Sequence, residues 1–138
     1  PVSRMRLVEV IPAFETSEET YNTAVRICRG ADKVTVKVKD VAGFAVNRLL
    51  LIMQNEAVRL VEEGVASPED IDIACRLGLG HPMGPFELMD AVSSGLCLQV
   101  MEILHDAYGE RFHPPLLLKQ RVKAGYLGRK VGKGWRKH

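Results

Sequence analysis

Two residues near the start of this chain have side chains suited to proton transfer or to binding a polar substrate. Glu9 is the only acid among the first fourteen residues, and it lies in the otherwise apolar segment 7–11. Its carboxylate could hold a proton or orient a base, although a glutamate on a strand usually faces water. Asn47 opens a long apolar-periodic segment. Its amide can donate and accept hydrogen bonds, with an ordinary surface hydrogen bond as the alternative.

Two glycine-rich stretches, 78–84 and 128–134, raise the question of phosphate binding. The first follows a helical pattern rather than a strand and fits neither the dinucleotide fingerprint nor the P-loop, which favours a turn between helices. The second misses the P-loop spacing by one residue. It carries Lys130 within a basic C-terminal segment, so it stays a candidate for contacting an anion, with a solvated chain end as the alternative.

The histidines and cysteines of the chain lack the spacing of a metal site. No C-x-x-C or H-x-x-x-H pair occurs, which argues against structural zinc, and we predict no metal. The four histidines are expected to have surface or structural roles. Three widely spaced cysteines in apolar segments predict reduced core thiols in a reducing compartment. We expect a cytoplasmic protein, or one of the mitochondrial matrix if the source is eukaryotic.

The elements that must position these residues are mainly helices. Apolar residues predict short strands at about 6–11 and 34–38. Thr16 and Glu19 have the pattern of a capping box, in which the Thr16 hydroxyl accepts the Glu19 N–H group and starts a helix. The apolar stripe of the helix after Gly43 is wider than one packing face needs. This width indicates a central helix of a bundle or a second face against another subunit.

Further helices are predicted after Ser67, at about 85–90 and 96–108, and after Pro115. Five or six helices with two short strands form a helix bundle with a fragment of sheet. The length of 138 residues and the net charge of +2 fit a globular domain. No apolar run is long enough to cross a bilayer, so no membrane partner is expected.

Six ordered blocks resemble the C-terminal domain of the NAD-dependent 3-hydroxyacyl-CoA dehydrogenases, of the 3-hydroxybutyryl-CoA dehydrogenase type. These blocks are Met5–Val10, Gly43–Leu50, Asn55–Ala57, Glu63–Asp72, His81–Leu88 and Gly125–Lys130. The resemblance implies a mainly α fold, a bundle like the C-terminal domain of 6-phosphogluconate dehydrogenase. It also implies that residues 1–12 are a strand remnant of a preceding Rossmann domain, and that residues 13–138 are the substrate and dimerisation domain.

The resemblance further implies a reaction and the residues that serve it. The family converts (S)-3-hydroxyacyl-CoA and NAD to 3-ketoacyl-CoA and NADH. Its general base is a histidine in an H-x-x-N-P motif, about a dozen residues before the position of Glu9. By resemblance, Glu9 is a catalytic residue that orients this histidine, Asn47 binds the substrate and Lys130 reaches the NAD.

The same resemblance implies what the intact protein contains. The histidine would precede Pro1 and no glycine fingerprint occurs here, so we expect this chain alone to be inactive. The implied partners are acyl-CoA, NAD, an N-terminal Rossmann domain and a second copy in a homodimer. A free-standing, non-catalytic dimerisation or acyl-CoA-binding module is the alternative. Nucleic acid is not expected, because the basic tail lacks a recognition motif.

Overall fold

The computed structural model describes residues 2–136, so the interpretations of Pro1 and His138 lie outside the described residues. Its regular elements are β1 (Leu7–Val10), α1 (Glu18–Gly30), β2 (Val34–Lys37), α2 (Val46–Glu62), α3 (Pro68–Leu79), α4 (Pro85–Val92), α5 (Ser94–Tyr108) and α6 (Leu116–Lys123). Short 3-10 helices lie at Glu110–Phe112 and Arg129–Val131. The predicted mainly α class with two short N-terminal strands is confirmed.

The described residues form two compact units, one within residues 1–47 and the other within residues 48–138. In the first unit, β1 and β2 pair in parallel, with Leu7 opposite Val34 and Val10 opposite Lys37. Parallel neighbours need a crossover, and α1 supplies it. The first unit is therefore a β-α-β element, which is the repeating unit of dinucleotide-binding sheets.

The predicted start of α1 is wrong by one residue. Ser17 is the N-cap, and its hydroxyl accepts the Thr20 N–H group at 3.1 Å. The Thr16 hydroxyl instead accepts the N–H group of Ala13 at 2.9 Å, in the turn before the helix. Since this turn occupies the Thr16 hydroxyl, the next hydroxyl along the chain takes over the cap.

The second unit has its core among α2, α4, α5 and α6. The fully buried apolar side chains there include Val58, Phe86, Met89, Met101, Leu104 and Leu118. On α2, Leu51 and Val58 are buried whereas Leu49 is 72% exposed, so the wide apolar stripe extends beyond the core. Among the described residues, no helix is long and apolar enough to cross a membrane.

The three cysteines are free thiols, as expected. Cys97 is buried, whereas Cys28 and Cys75 are only half-buried and do not belong to the core. Burial raises the pKa of the Cys97 thiol to about 11. This thiol therefore stays protonated at neutral pH and has little nucleophilic character.

Candidate functional site

Glu9 lies at the N-terminal end of α2. Its Oε1 accepts two backbone N–H groups, from Ala45 at 2.8 Å and from Val46 at 3.1 Å. The first N–H groups of a helix have no partner within the helix and carry partial positive charge, so a carboxylate there is stabilised. No hydrogen bond from the described residues reaches the other oxygen, Oε2, and Glu9 is only half-buried. Glu9 is thus a fixed carboxylate with one oxygen available.

A tight turn directs these N–H groups at Glu9. The N–H group of Phe44 bonds to the Val41 carbonyl at 3.0 Å, and Gly43 and Phe44 have φ angles of 75° and 46°. Glycine adopts the left-handed region freely, but a phenylalanine there is strained. Strain of this kind concentrates at functional sites. The turn therefore marks the Glu9 end of α2 as the first candidate site.

Asn47 belongs to the same local region. It is the second residue of α2, directly after Val46, and its side chain is exposed. The structure therefore brings Glu9 and Asn47 to the same end of one helix. An exposed amide at the same helix end as an oriented carboxylate can donate to or accept from a polar substrate oxygen.

Lys130 lies in the second unit, on the 3-10 helix Arg129–Val131. This short helix sits within a loop closed by an antiparallel bridge between Gly128 and Lys133. Lys130 is exposed and lines a cavity of about 140 Å³ together with Ser93, Leu127 and other residues. No ion pair links its ammonium to another described residue. An exposed ammonium without an ion-pair partner among the described residues can contact an anionic group.

A buried aspartate, which the sequence did not point to, fixes the loop that carries Lys130. The carboxylate of Asp90 accepts the N–H groups of Trp135 at 2.8 Å and Arg136 at 3.0 Å, one on each oxygen. The Trp135 indole N–H donates to the Ser94 hydroxyl at 3.0 Å. Asp90 is 2% exposed. The signal available in the sequence is its spacing of four residues from Phe86, which puts Asp90 on the apolar face of α4.

A second buried aspartate joins α3 to the start of α4. The Asp72 carboxylate accepts the N–H groups of Phe86 at 2.9 Å and Glu87 at 3.0 Å, and Arg136 Nε lies 3.8 Å away. Burial raises the pKa of Asp72 above its ordinary value, although the two N–H groups and the Arg136 guanidinium each lower it. Asp72 therefore caps α4 from the preceding helix.

These aspartates explain the glycine-rich stretches that had suggested phosphate binding. A Cβ at Gly84 would collide with the side chain and backbone of Asp72, and one at Gly134 with the Asp90 carboxylate. A Cβ at Gly128, where φ is 121°, would lie 2.5 Å from the Asp90 carbonyl oxygen. The first stretch is the predicted turn between two helices. At these three positions glycine permits close packing, and the carboxylates beside Gly84 and Gly134 disfavour an anion there.

Two family profiles of one enzyme family together match almost the whole chain. A family profile described as "3-hydroxyacyl-CoA dehydrogenase, C-terminal domain" matches residues 43–138. One described as "3-hydroxyacyl-CoA dehydrogenase, NAD binding domain" matches residues 1–41.

Individual relatives are similar over almost every residue. A "Probable 3-hydroxybutyryl-CoA dehydrogenase" of Bacillus subtilis is 47% identical over 136 residues, which are 98% of this chain and 47% of the relative. A mouse "Hydroxyacyl-coenzyme A dehydrogenase, mitochondrial" is 44% identical over 140 residues, covering 100% of this chain and 45% of the relative. The crystal structure of "(S)-3-hydroxybutyryl-CoA dehydrogenase PaaH1 from Ralstonia eutropha" matches with a TM-score of 0.95 and 40% identity, over 100% of this chain and 49% of that one. This chain spans about half the length of the curated relatives it matches.

Proposed function

This chain belongs to the 3-hydroxyacyl-CoA dehydrogenase family, and we propose that it is the C-terminal part of an NAD-dependent enzyme that oxidises (S)-3-hydroxyacyl-CoA to 3-ketoacyl-CoA. The observation that carries the proposal is the Glu9 carboxylate, which two backbone N–H groups fix through one oxygen. A carboxylate held in this way has its other oxygen free to receive the N–H group of an imidazole.

In the proposed reaction, Glu9 is a positioning residue for the general base. The proton of the 3-hydroxyl passes to a histidine, which the family resemblance places about a dozen residues before Glu9. NAD, when bound, supplies the acceptor for the hydride that leaves C3 with its electron pair. As the histidine gains its proton, the Glu9 charge stabilises the imidazolium, and the C3–O bond of the substrate becomes a carbonyl.

Asn47 and Lys130 are proposed to bind the two reactants. The Asn47 amide can donate to the substrate oxygen whether that oxygen belongs to a hydroxyl or to a carbonyl. Lys130, exposed beside its cavity, is proposed to contact NAD through charge-assisted hydrogen bonds. The β-α-β element of the first unit supports NAD as the cofactor, since this is the element from which dinucleotide-binding sheets are built.

We propose that the helical region also forms a homodimer. Several large apolar side chains of the second unit are exposed, including Leu49, Leu77, Leu79, Leu96 and Ile103. A second copy of the chain could cover such exposed apolar side chains in an interface. Sedimentation equilibrium of the full-length protein checks this proposal, and a monomer at micromolar concentration would contradict it.

The domain division and the compartment also remain proposals. The expected boundary after residue 12 can be compared with the profile boundary between residues 41 and 43 by limited proteolysis of the full-length protein. A reducing compartment, either the cytoplasm or the mitochondrial matrix, is supported by the bacterial relative and by the mouse relative named as mitochondrial. Localisation by fractionation checks this assignment.

One set of steady-state measurements on the full-length enzyme tests the three assigned roles together. With 3-hydroxybutyryl-CoA and NAD, Glu9→Gln is expected to lower kcat by about 100-fold or more, because the base loses its charged partner.

Asn47→Ala should lower kcat/KM for the acyl-CoA by about ten-fold or more. Lys130→Ala should raise KM for NAD by about ten-fold and leave kcat nearly unchanged.

The matched control for Glu9 is Glu15→Gln. Glu15 is an exposed acid of the same unit, and its loss should change none of these constants. Full activity in Glu9→Gln would contradict the proposed mechanism. Absence of activity in the wild-type enzyme with both 3-hydroxybutyryl-CoA and longer 3-hydroxyacyl-CoA substrates would contradict the proposed reaction.

A further inference from the structure

Two histidines and one glutamate meet on the surface of the second unit, where α5 ends. His105 Nε2 lies 3.1 Å from Glu110 Oε1, and His113 Nδ1 lies 3.1 Å from Glu110 Oε2. One ligand-type atom from each of the three residues lies within 4.8 Å of the others. The two imidazoles thus converge on a single carboxylate that is otherwise open to solvent.

The backbone around this cluster is firmly held. Gly109, with φ 81°, turns the chain sharply after α5, so that residues 110–113 return toward His105. Phe112 is buried, and the carbonyl of His113 accepts hydrogen bonds from Asn55 Nδ2 at 3.1 Å and Arg59 Nη2 at 3.0 Å. Because the backbone of this loop is already ordered, little further conformational entropy is lost when a ligand binds to it.

The proposed dehydrogenase reaction uses none of these residues, and their chemistry suits a cation. We propose that His105, Glu110 and His113 form a surface site for a divalent transition-metal cation of the Zn²⁺ type. Two imidazoles and a carboxylate are ligands that Zn²⁺ accepts, and water would complete the shell. Bonds of about 2.0–2.1 Å in tetrahedral geometry put neighbouring ligand atoms about 3.3 Å apart. Each imidazole is 3.1 Å from a different oxygen of Glu110, so a ligand set that uses one Glu110 oxygen has one separation close to this value and the others within 4.8 Å.

The ammonium group of the neighbouring Lys119 is predicted to weaken metal binding. Its Nζ lies 3.4 Å from His113 Nε2. Without metal, His113 can accept from Lys119 at Nε2 and donate to Glu110 from Nδ1. Once Nδ1 binds the metal, the ring proton must lie on Nε2, where it faces the ammonium. Removing the lysine charge should therefore strengthen metal binding, which no merely structural role for the cluster would predict.

The three ligand residues do not have the spacing of a short metal-binding motif. The spacing is His-x4-Glu-x2-His, and the turn at Gly109 is what brings the three residues together. The absence of C-x-x-C and H-x-x-x-H pairs predicts no metal in this chain, and the site proposed here departs from that prediction. The proposed site is instead partly exposed and formed by a helix end and the loop after it.

The test is a calorimetric titration of the full-length protein with Zn²⁺ alone, in a buffer without chelators at pH 7.5. We expect His113→Gln and Glu110→Gln each to weaken binding of one Zn²⁺ equivalent by at least about ten-fold, and Lys119→Gln to tighten it several-fold. His81→Gln, a histidine outside the cluster, is the matched control and should leave the titration unchanged. Circular dichroism verifies that each variant is folded.

A second measurement covers the case in which a variant fails to fold. Electron paramagnetic resonance of the wild-type protein with one equivalent of Cu²⁺ should show coupling to two imidazole nitrogens, since Cu²⁺ uses the same ligands. Coupling to fewer than two nitrogens would overturn the proposal. A double variant, His105→Gln with His113→Gln, that binds as many Zn²⁺ ions as the wild type with equal affinity would also overturn it.

Discussion

Three carboxylates in this chain each accept two consecutive backbone N–H groups, but the two units use them differently. In the first unit, Glu9 accepts Ala45 and Val46 through Oε1 alone. In the second unit, Asp72 and Asp90 accept one N–H group on each oxygen. The aspartates are thus fully engaged within the fold, whereas Glu9 keeps an oxygen for a further partner.

The two aspartates and Glu9 also differ in how deeply their side chains are buried. Asp72 and Asp90 are 0% and 2% exposed, whereas Glu9 is half-buried. A buried carboxylate is tolerated only when its oxygens are satisfied, and removing it leaves its partners unsatisfied as well. Similar backbone pairing can therefore serve stability at one position and chemistry at another. The number of oxygens left available separates the two roles.

The largest stability effect is expected at Asp90. Asp90→Ala leaves two backbone N–H groups without an acceptor and releases the segment around Trp135, so the free energy of unfolding should fall by about 3 kcal/mol or more. Glu9→Ala, where water can replace the carboxylate, should cost about 1 kcal/mol. Guanidinium unfolding of the full-length protein measures both. Equal losses of unfolding free energy for the two variants would contradict the different roles assigned to Asp90 and Glu9.

The close approach at Asp72 predicts an intermediate effect. Gly84→Ala places a Cβ against the Asp72 side chain and backbone and should lower the free energy of unfolding by about 2–3 kcal/mol. The matched control is Gly78→Ala in α3, where nothing lies within 4 Å of an added Cβ. Because alanine favours helix over glycine, this control should gain about 0.5–1 kcal/mol. Urea midpoints that move in the same direction for both variants would contradict this packing.

The smallest expected effect is a pH dependence at Asp72. Burial raises the pKa of this carboxyl above the value of 3.8, so the folded protein holds the proton to higher pH than the unfolded chain. As pH rises through the window above 3.8, this group therefore lowers stability, by about 1.4 kcal/mol for each unit of pKa difference. Asp72→Asn lacks this contribution. Unfolding free energies at pH 4 and pH 7 check whether wild type loses stability relative to the variant as pH rises.

The sequence predicted the elements better than their contacts. Hydrophobic periodicity together with cap and proline signals located the six α-helices of the described residues, because burial of one helix face imposes a period and helix ends favour particular residues. It misplaced the cap of α1, where two adjacent hydroxyls compete and the turn at Ala13 decides between them. Element identity depends on many residues, but a cap depends on one contact.

For the site residues, too, the sequence did not predict the contacts that hold them in place. Glu9, Asn47 and Lys130 came from a family resemblance, and the structure adds the hydrogen bonds that fix Glu9 and the loop that carries Lys130. Asp90 was not anticipated, because its partners at Trp135 and Arg136 lie more than forty residues away. The histidine cluster was missed because one glycine turn, rather than a helical repeat, brings its members together.

The pH profile of kcat/KM for Glu9→Gln in the full-length enzyme tests directly whether Glu9 orients the general base. If the free oxygen of Glu9 stabilises the protonated base, removing its charge should lower the apparent pKa of that base. The acidic limb of the profile would then move to lower pH while kcat falls. A limb that stays at the wild-type pH, with full kcat, would contradict the role assigned to Glu9.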